Sequence, residues 1–110
     1  MMLFTKAIRK KLLENGEKDF SGNHVPVVKI FNPYGAATWL LIAIDPESPD
    51  VAWCMADLGM DCIEAGTVLI SELENIRVGP GKMWKLERDQ FFKTDKRLYD
   101  FYEKKSLVGV

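Results

Sequence analysis

The sequence predicts an α+β domain in which a mainly antiparallel sheet of about five strands packs against helices from the chain ends. Three observations predict it. Thr38-Trp39-Leu40-Leu41-Ile42-Ala43-Ile44 is an uncharged run between turn sequences. A strand with one wet face would alternate, so this run reads as buried on both faces. The strand-like runs around it are joined by only a few residues, whereas a parallel crossover needs a dozen or more, so neighbours must pair antiparallel. The chain ends, by contrast, space their apolar residues with a helical period.

The central run, 37–45, carries the core. Burying its Trp, two Leu and two Ile contributes on the order of 10 kcal/mol as an upper bound. Ahead of it, Thr5 is a plausible N-cap, and Ile8, Leu12 and Leu13 form one narrow stripe of a helix over 5–15. Asn15-Gly16 reads as its stop. Residues 17–23 are polar loop. Residues 25–31 form the first strand, and Pro26 places it at a strand start or on an edge. Asn32-Pro33-Tyr34-Gly35 turns the chain into the central run. After the break at Asp45–Asp50 come a third strand over 51–58 and, past Gly59-Met60-Asp61, a fourth over 62–69. Gly66 inside it marks a bulge or a close backbone approach.

Ser71-Glu72-Leu73-Glu74 has the pattern of a capping box and starts a short helix over 71–77. Gly79-Pro80-Gly81 is loop material. A fifth strand over 82–89 sets Trp84 and Leu86 on one face against Lys85, Glu87 and Asp89 on the other. Thr94 caps a last helix over 95–105, with Leu98, Phe101 and Tyr102 as its stripe. The tail from Ser106 to Val110 is expected to be loose.

The chain of 110 residues is the size of one domain, 1–110, and can bury a core without disulfide or metal. Its 47% apolar and 28% charged residues are those of a soluble globular protein. The longest uncharged run is interrupted by Asn32, Pro33 and Gly35 and cannot serve as a membrane span of about 20 apolar residues. The first residues lack an export signal, so a cytoplasmic location with Cys54 and Cys62 reduced is expected. Both read as small hydrophobes, although neighbouring strands of a hairpin would allow them to pair.

Net charge is −1, yet residues 30–76 carry eight acids and no Lys or Arg, while both ends are basic. The simplest reading folds the ends back to neutralise the middle. The alternative is two surface patches of opposite sign. A pI near 5.8 gives no basic nucleic-acid footprint.

The densest charged constellation is Glu87-Arg88-Asp89, with Asp57 and Glu64 as the acids of the preceding hairpin. These five residues are the candidate ligand or partner site. The competing reading for them is a solvated polar face. Glu87 and Asp89 on one face, helped by Asp57, Asp61 or Glu64, would suit a divalent cation and metal-assisted hydrolysis. No histidine accompanies the acids, and no phosphate loop or nucleophile elbow is present. No cofactor is therefore expected, and no catalytic or metal-ligating residue is assigned. His24 reads as a loop residue. Trp39 and Trp53 lie in segments without Lys or Arg and read as core, not as base-stacking platforms.

Val28-Lys29-Ile30-Phe31-Asn32-Pro33 followed by Thr38-Trp39 resembles an uncharacterised bacterial family, domain of unknown function 2958. So do Asp57-Leu58-Gly59, Glu64-Ala65-Gly66, Leu69-Ile70-Ser71-Glu72-Leu73 and Leu86-Glu87-Arg88-Asp89 with Phe92, together with Thr5 and Lys10-Lys11-Leu12. The match covers most of residues 5–94. Thr67, and Leu40-Leu41-Ile42, stand where family members usually have aromatic residues. The resemblance implies no activity. It implies a setting on plasmids, phages and other mobile elements.

The expected function is a non-enzymatic binding or interaction module. The alternative is a divalent-metal-dependent hydrolase. A third idea, mimicry of nucleic-acid charge, rests on the acidic middle alone. The expected partners are a second copy, in a homodimer, and another protein; neither a membrane nor nucleic acid is expected.

Overall fold

The computed structural model describes residues 2–60, 62–103, 107 and 110. Its elements are α1 (Lys6–Asp19), β1 (Val28–Phe31), β2 (Thr38–Asp45), β3 (Ser48–Asp57), β4 (Ile63–Leu69), α2 (Ile70–Asn75), β5 (Arg77–Val78), β6 (Trp84–Lys85) and β7 (Glu87–Arg88). Short 3-10 turns occupy Pro80–Lys82 and Leu98–Glu103. Five strands form one antiparallel sheet in the order β4-β3-β2-β1-β7, and β5 pairs with β6 as a separate ribbon. The fold is α+β, as the short connections require.

β2 lies at the centre, with residues 38–44 all buried. Alternate side chains feed two cores. Trp39, Leu41 and Ile44 pack with Leu12 of α1, Cys54 and Leu73 on one face. Leu40, Ile42 and Met55 pack with Leu98, Phe101 and Leu107 on the other. Helix α1 thus covers one face and the C-terminal segment covers the opposite one.

The seat of α1 corrects the expected stop at Asn15-Gly16. The helix begins where Thr5 caps it, its side chain accepting from the Ile8 N–H, but it runs on to Asp19. β2 has one residue more than β3 between Leu41 and Ala43, so Ile42 is a bulge. A bulged residue leaves the ladder, and the buried Asn15 amide donates to the Ile42 carbonyl at 2.8 Å. Gly16 completes the approach: a Cβ there would lie 1.8 Å from the Ile44 carbonyl oxygen. Asn-Gly is a stop signal locally, yet here both residues are held inside a helix by the strand beneath them.

The other differences have similar causes. β1 starts at Val28, not 25, although the Val27 N–H still donates to Leu41. β3 starts at Ser48, because the expected loop over 45–50 is a tight turn of Pro46 and Glu47. α2 starts at Ile70 and lacks the expected capping box. Asp50, 21 residues earlier, instead accepts from both the N–H and the hydroxyl of Ser71. Those bonds hold the Asp50 carboxyl below the usual carboxylate range.

The fifth strand over 82–89 is broken at Leu86. Its first half pairs with β5 and its second half with β1, so Leu86 is buried while Trp84 is turned out. The helix over 95–105 is only a 3-10 turn at 98–103, and residues 104–106 lie outside the described set. Tertiary partners claim its first amides: the Leu98 N–H donates to His24 and the Tyr99 N–H to Asn23. The tail is not uniformly loose, since Leu107 is fully buried. Of the basic ends, Arg9 meets the acidic middle, 3.4 Å from Glu74.

Gly16→Ala should destabilise the fold by about 3 kcal/mol, because helix and strand must part to admit the methyl group. Urea unfolding monitored by circular dichroism measures this.

Candidate functional site

β7 is the anchor of the site. It pairs with β1 through Ile30↔Arg88 and Phe31↔Glu87 and has no strand on its outer side among the described residues. The Asp89 N–H donates inward to the Lys29 carbonyl at 3.0 Å. By antiparallel alternation the main-chain N–H and C=O of Arg88 therefore point away from the sheet.

A cleft lies on each side of β7. The first, of about 440 Å³, is lined by Lys29, Phe31, Thr38, Glu87, Asp89 and Phe91, among others. The second, of about 700 Å³, opens on the α1 side between Leu3, Leu73, Glu74, Met83, Trp84 and Leu86. Glu87 borders both.

The walls of the first cleft are ordered by charge. The Lys29 ammonium is nearly buried, donates to the Val110 main-chain oxygen at 3.0 Å and stands 3.7 Å from the Asp89 carboxylate. The Lys29 side chain is 10% exposed and that of Asp89 28%, so salt screens this pair less than one in open solvent. Asp89 also accepts from the Phe91 N–H at 2.9 Å, which pins a turn. The turn presents Phe91 with 93% of its surface exposed. Across β7, the Arg88 guanidinium reaches the Leu3 carbonyl at 3.5 Å.

Exposed apolar side chains gather here. Met83 is 79% exposed, Met2 64%, and Trp84 and Tyr34 52% each. The Tyr34 and Trp84 rings lie 6.0 Å apart over Gly79, whose positive φ of 77° and missing Cβ let them close in. The sequence offered one sign of this surface. Asp89-Gln90-Phe91-Phe92 puts two aromatic residues directly after a turn-forming aspartate, where the chain cannot bury both in one direction.

The five predicted site residues divide. Glu87, Arg88 and Asp89 are together at the first cleft, with Arg88 on the opposite face from the two acids. Asp57 and Glu64 are elsewhere. Glu64 shares a row with Arg88 through Ala56, Trp39 and Ile30, four strand spacings or roughly 19 Å away. Asp57 stands three spacings, roughly 14 Å, from Glu87 through Thr38 and Phe31. It is buried and accepts from the N–H groups of Gly59 and Leu107, both at 2.9 Å, so its role is to tie the tail to the sheet. Among the described residues no three His, Cys, Asp or Glu stand close enough to share a metal ion. Asp61 lies outside the described residues. His24 closes a loop turn, its Nε2 2.6 Å from the Asp19 carbonyl oxygen.

Both cysteines are free thiols. Burial pushes the Cys54 thiol up to about 12. Cys62 is exposed, and its hydrogen bond to the Glu64 carboxylate, with that charge, raises it too. An acid raised in the folded state favours folding below its unfolded value near 9 and loses that contribution as pH climbs toward 12.

Asp57→Asn should cost about 2 kcal/mol, because an amide cannot accept at both oxygens, while Glu64→Gln stays within about 0.5 kcal/mol. Urea titrations of the two variants check this. A thiol reagent at pH 8 should titrate Cys62 alone in the native protein and both cysteines in denaturant.

No curated protein and no solved structure matches the chain. A family model does match, over residues 3–109, spanning both clefts and both cores. The chain therefore belongs to the family described as "Protein of unknown function (DUF2958)".

Proposed function

We propose that this protein is a non-enzymatic, cytoplasmic interaction module of mobile genetic elements that grips an extended segment of a protein partner along β7. The observation that carries the reading is the gathering of Met2, Tyr34, Met83, Trp84 and Phe91 around one short edge strand with a cleft on each face. Aromatic, Met and Arg side chains are those enriched where proteins meet. An added strand sends alternate side chains to opposite faces, and the two clefts lie where such side chains would fall. The outward N–H and C=O of Arg88 supply the main-chain contact. β7 is too short and too charged to capture strands indiscriminately, so the clefts set the choice of partner. Two of the ionisable groups of the first cleft, Lys29 and Asp89, are engaged with each other and with the backbone, which supports binding over chemistry. The mobile-element setting comes from the family resemblance.

Panning a displayed library of random linear peptides against the protein tests the reading. Enriched peptides should carry large apolar residues at neighbouring positions, one for the cleft on each face. Phe91→Ala and Trp84→Ala should each weaken a selected peptide about ten-fold or more, as anchor residues do. Failure to enrich any peptide, or equal binding by the doubly substituted protein, overturns it.

A further inference from the structure

The sheet has two unlike borders. At one end is β7, two residues long, both charged. At the other is β4, seven residues from Ile63 to Leu69, whose outer side has no neighbour among the described residues. β4 pairs with β3 through seven consecutive partners without a shift, so no bulge twists its border away. It contains no Pro and no Lys, and Glu64 is its one charge. These are the devices by which strands at a border avoid capturing other chains. β7 is short and charged; β4 has almost none of the devices.

We propose that β4 is a homodimer interface, joining the sheets of two copies by antiparallel β4–β4 pairing centred on Gly66. This uses the border opposite β7 and stands independently of the peptide-binding reading. The register follows from length: centring on the middle residue pairs all seven residues with all seven of the copy, and any shift strands an end. In that register Gly66 faces Gly66, Ala65 faces Thr67, Glu64 faces Val68 and Ile63 faces Leu69. No like charges are directly opposed, and apolar partners meet at both ends. A Cβ at Gly66 would meet nothing within 4 Å, so the axis has room for close approach.

A second copy is the occupant because only a two-fold pairing closes the assembly. The self-complementary patch is consumed on both molecules at once. Each copy's five-stranded sheet then becomes half of one sheet of ten, whose two free borders are both β7. Growth stops there, since the remaining borders are short and charged. A foreign strand on β4 would leave the open border dependent on that partner's supply. Charge adds a signature. β2, β3 and β4 hold no Lys or Arg, and the exposed Glu64 of β4 stands on the border on both sides of the axis. Two copies meeting there repel at low ionic strength, so added salt tightens the pair.

Analytical ultracentrifugation over a concentration series tests this. The expected mass is twice 12.5 kDa, with dissociation reduced in high salt. Gly66→Glu, whose side chain enters open space and so leaves the fold intact, sets two like charges on the axis beside the Glu64 pair and should weaken the dimer at least ten-fold at low salt. Thr67→Pro and Val68→Pro provide a second check. Neighbouring N–H groups in a strand point to opposite sides, so one of the two blocks only the outer border, and that variant should be a folded monomer. A wild-type monomer at the highest concentration overturns the proposal. So does a dimer unaffected by Gly66→Glu, or one dissolved by salt, which would assign the contact to the α1 lysines against acids. Should both proline variants unfold, amide exchange decides: alternate β4 amides must gain protection with concentration in the wild type.

Discussion

A bulged carbonyl in the middle of a fully buried strand needs a donor, and no water is at hand to supply one. Ile42 of β2 is in that position, and an unsatisfied acceptor there would cost about as much as the contact of a large side chain earns. Asn15 answers it from α1, which forces the helix to within van der Waals contact of the strand, and Gly16 makes the distance possible. Much else is set by that seat. It fixes α1 along β2, brings Arg9 to Glu74 of α2, and leaves the chain just before the helix beside β7, where the Leu3 carbonyl receives Arg88. One wall of the larger cleft thus owes its place to a hydrogen bond at the centre of the sheet.

The two faces are covered by unlike means, and this is why a cleft exists on the second one. A helix of 14 residues lies across the first face. The second is closed by the 3-10 turn at 98–103 and by Leu107, whose anchors are the loop at residues 20–24 and the carboxylate of Asp57. Leu98, Phe101 and Leu107 reach Leu40, Ile42 and Met55 at the middle of the sheet. Toward β7 the lining changes to Lys29, Phe31 and Thr38, and the space above them is the smaller cleft. Lys29 stands at this boundary, its ammonium 6.0 Å from the centre of the Phe31 ring and tied to Asp89 and to Val110.

What could be read in the sequence was whatever depends on near neighbours in the chain. The uncharged run is the central strand, Thr5 does cap the first helix, and short connections do make antiparallel hairpins. Misreadings arose where a distant group supplied the deciding contact. Asn15-Gly16 stops a helix unless a strand receives both residues. Ser71 begins a capping box unless an aspartate 21 positions earlier binds it first. Trp84 and Leu86 share a face only if the strand between them is straight, and Leu86 breaks it. The site followed the same rule. Glu87, Arg88 and Asp89 are contiguous and stayed together, whereas convergence with Asp57 and Glu64 would have required β7 to lie beside β3 or β4, and the sheet places it on the far side of β1. The exposed Met83, Trp84 and Phe91 were hidden because apolar residues are ordinarily assigned to a core.

That strand order also gives the uneven charge of the sequence a direction in space. β2, β3 and β4 follow one another in the chain and in the sheet, so three adjacent strands carry no Lys or Arg. The last strand then crosses to β1, and the sheet's basic side chains, Lys29 and Arg88, stand in these two neighbouring strands. A net charge of −1 therefore conceals a sheet whose acids are unaccompanied at the β4 end and mixed with basic residues at the β7 end. The two borders differ in what they carry: regular main chain at β4, and exposed apolar side chains around two clefts at β7.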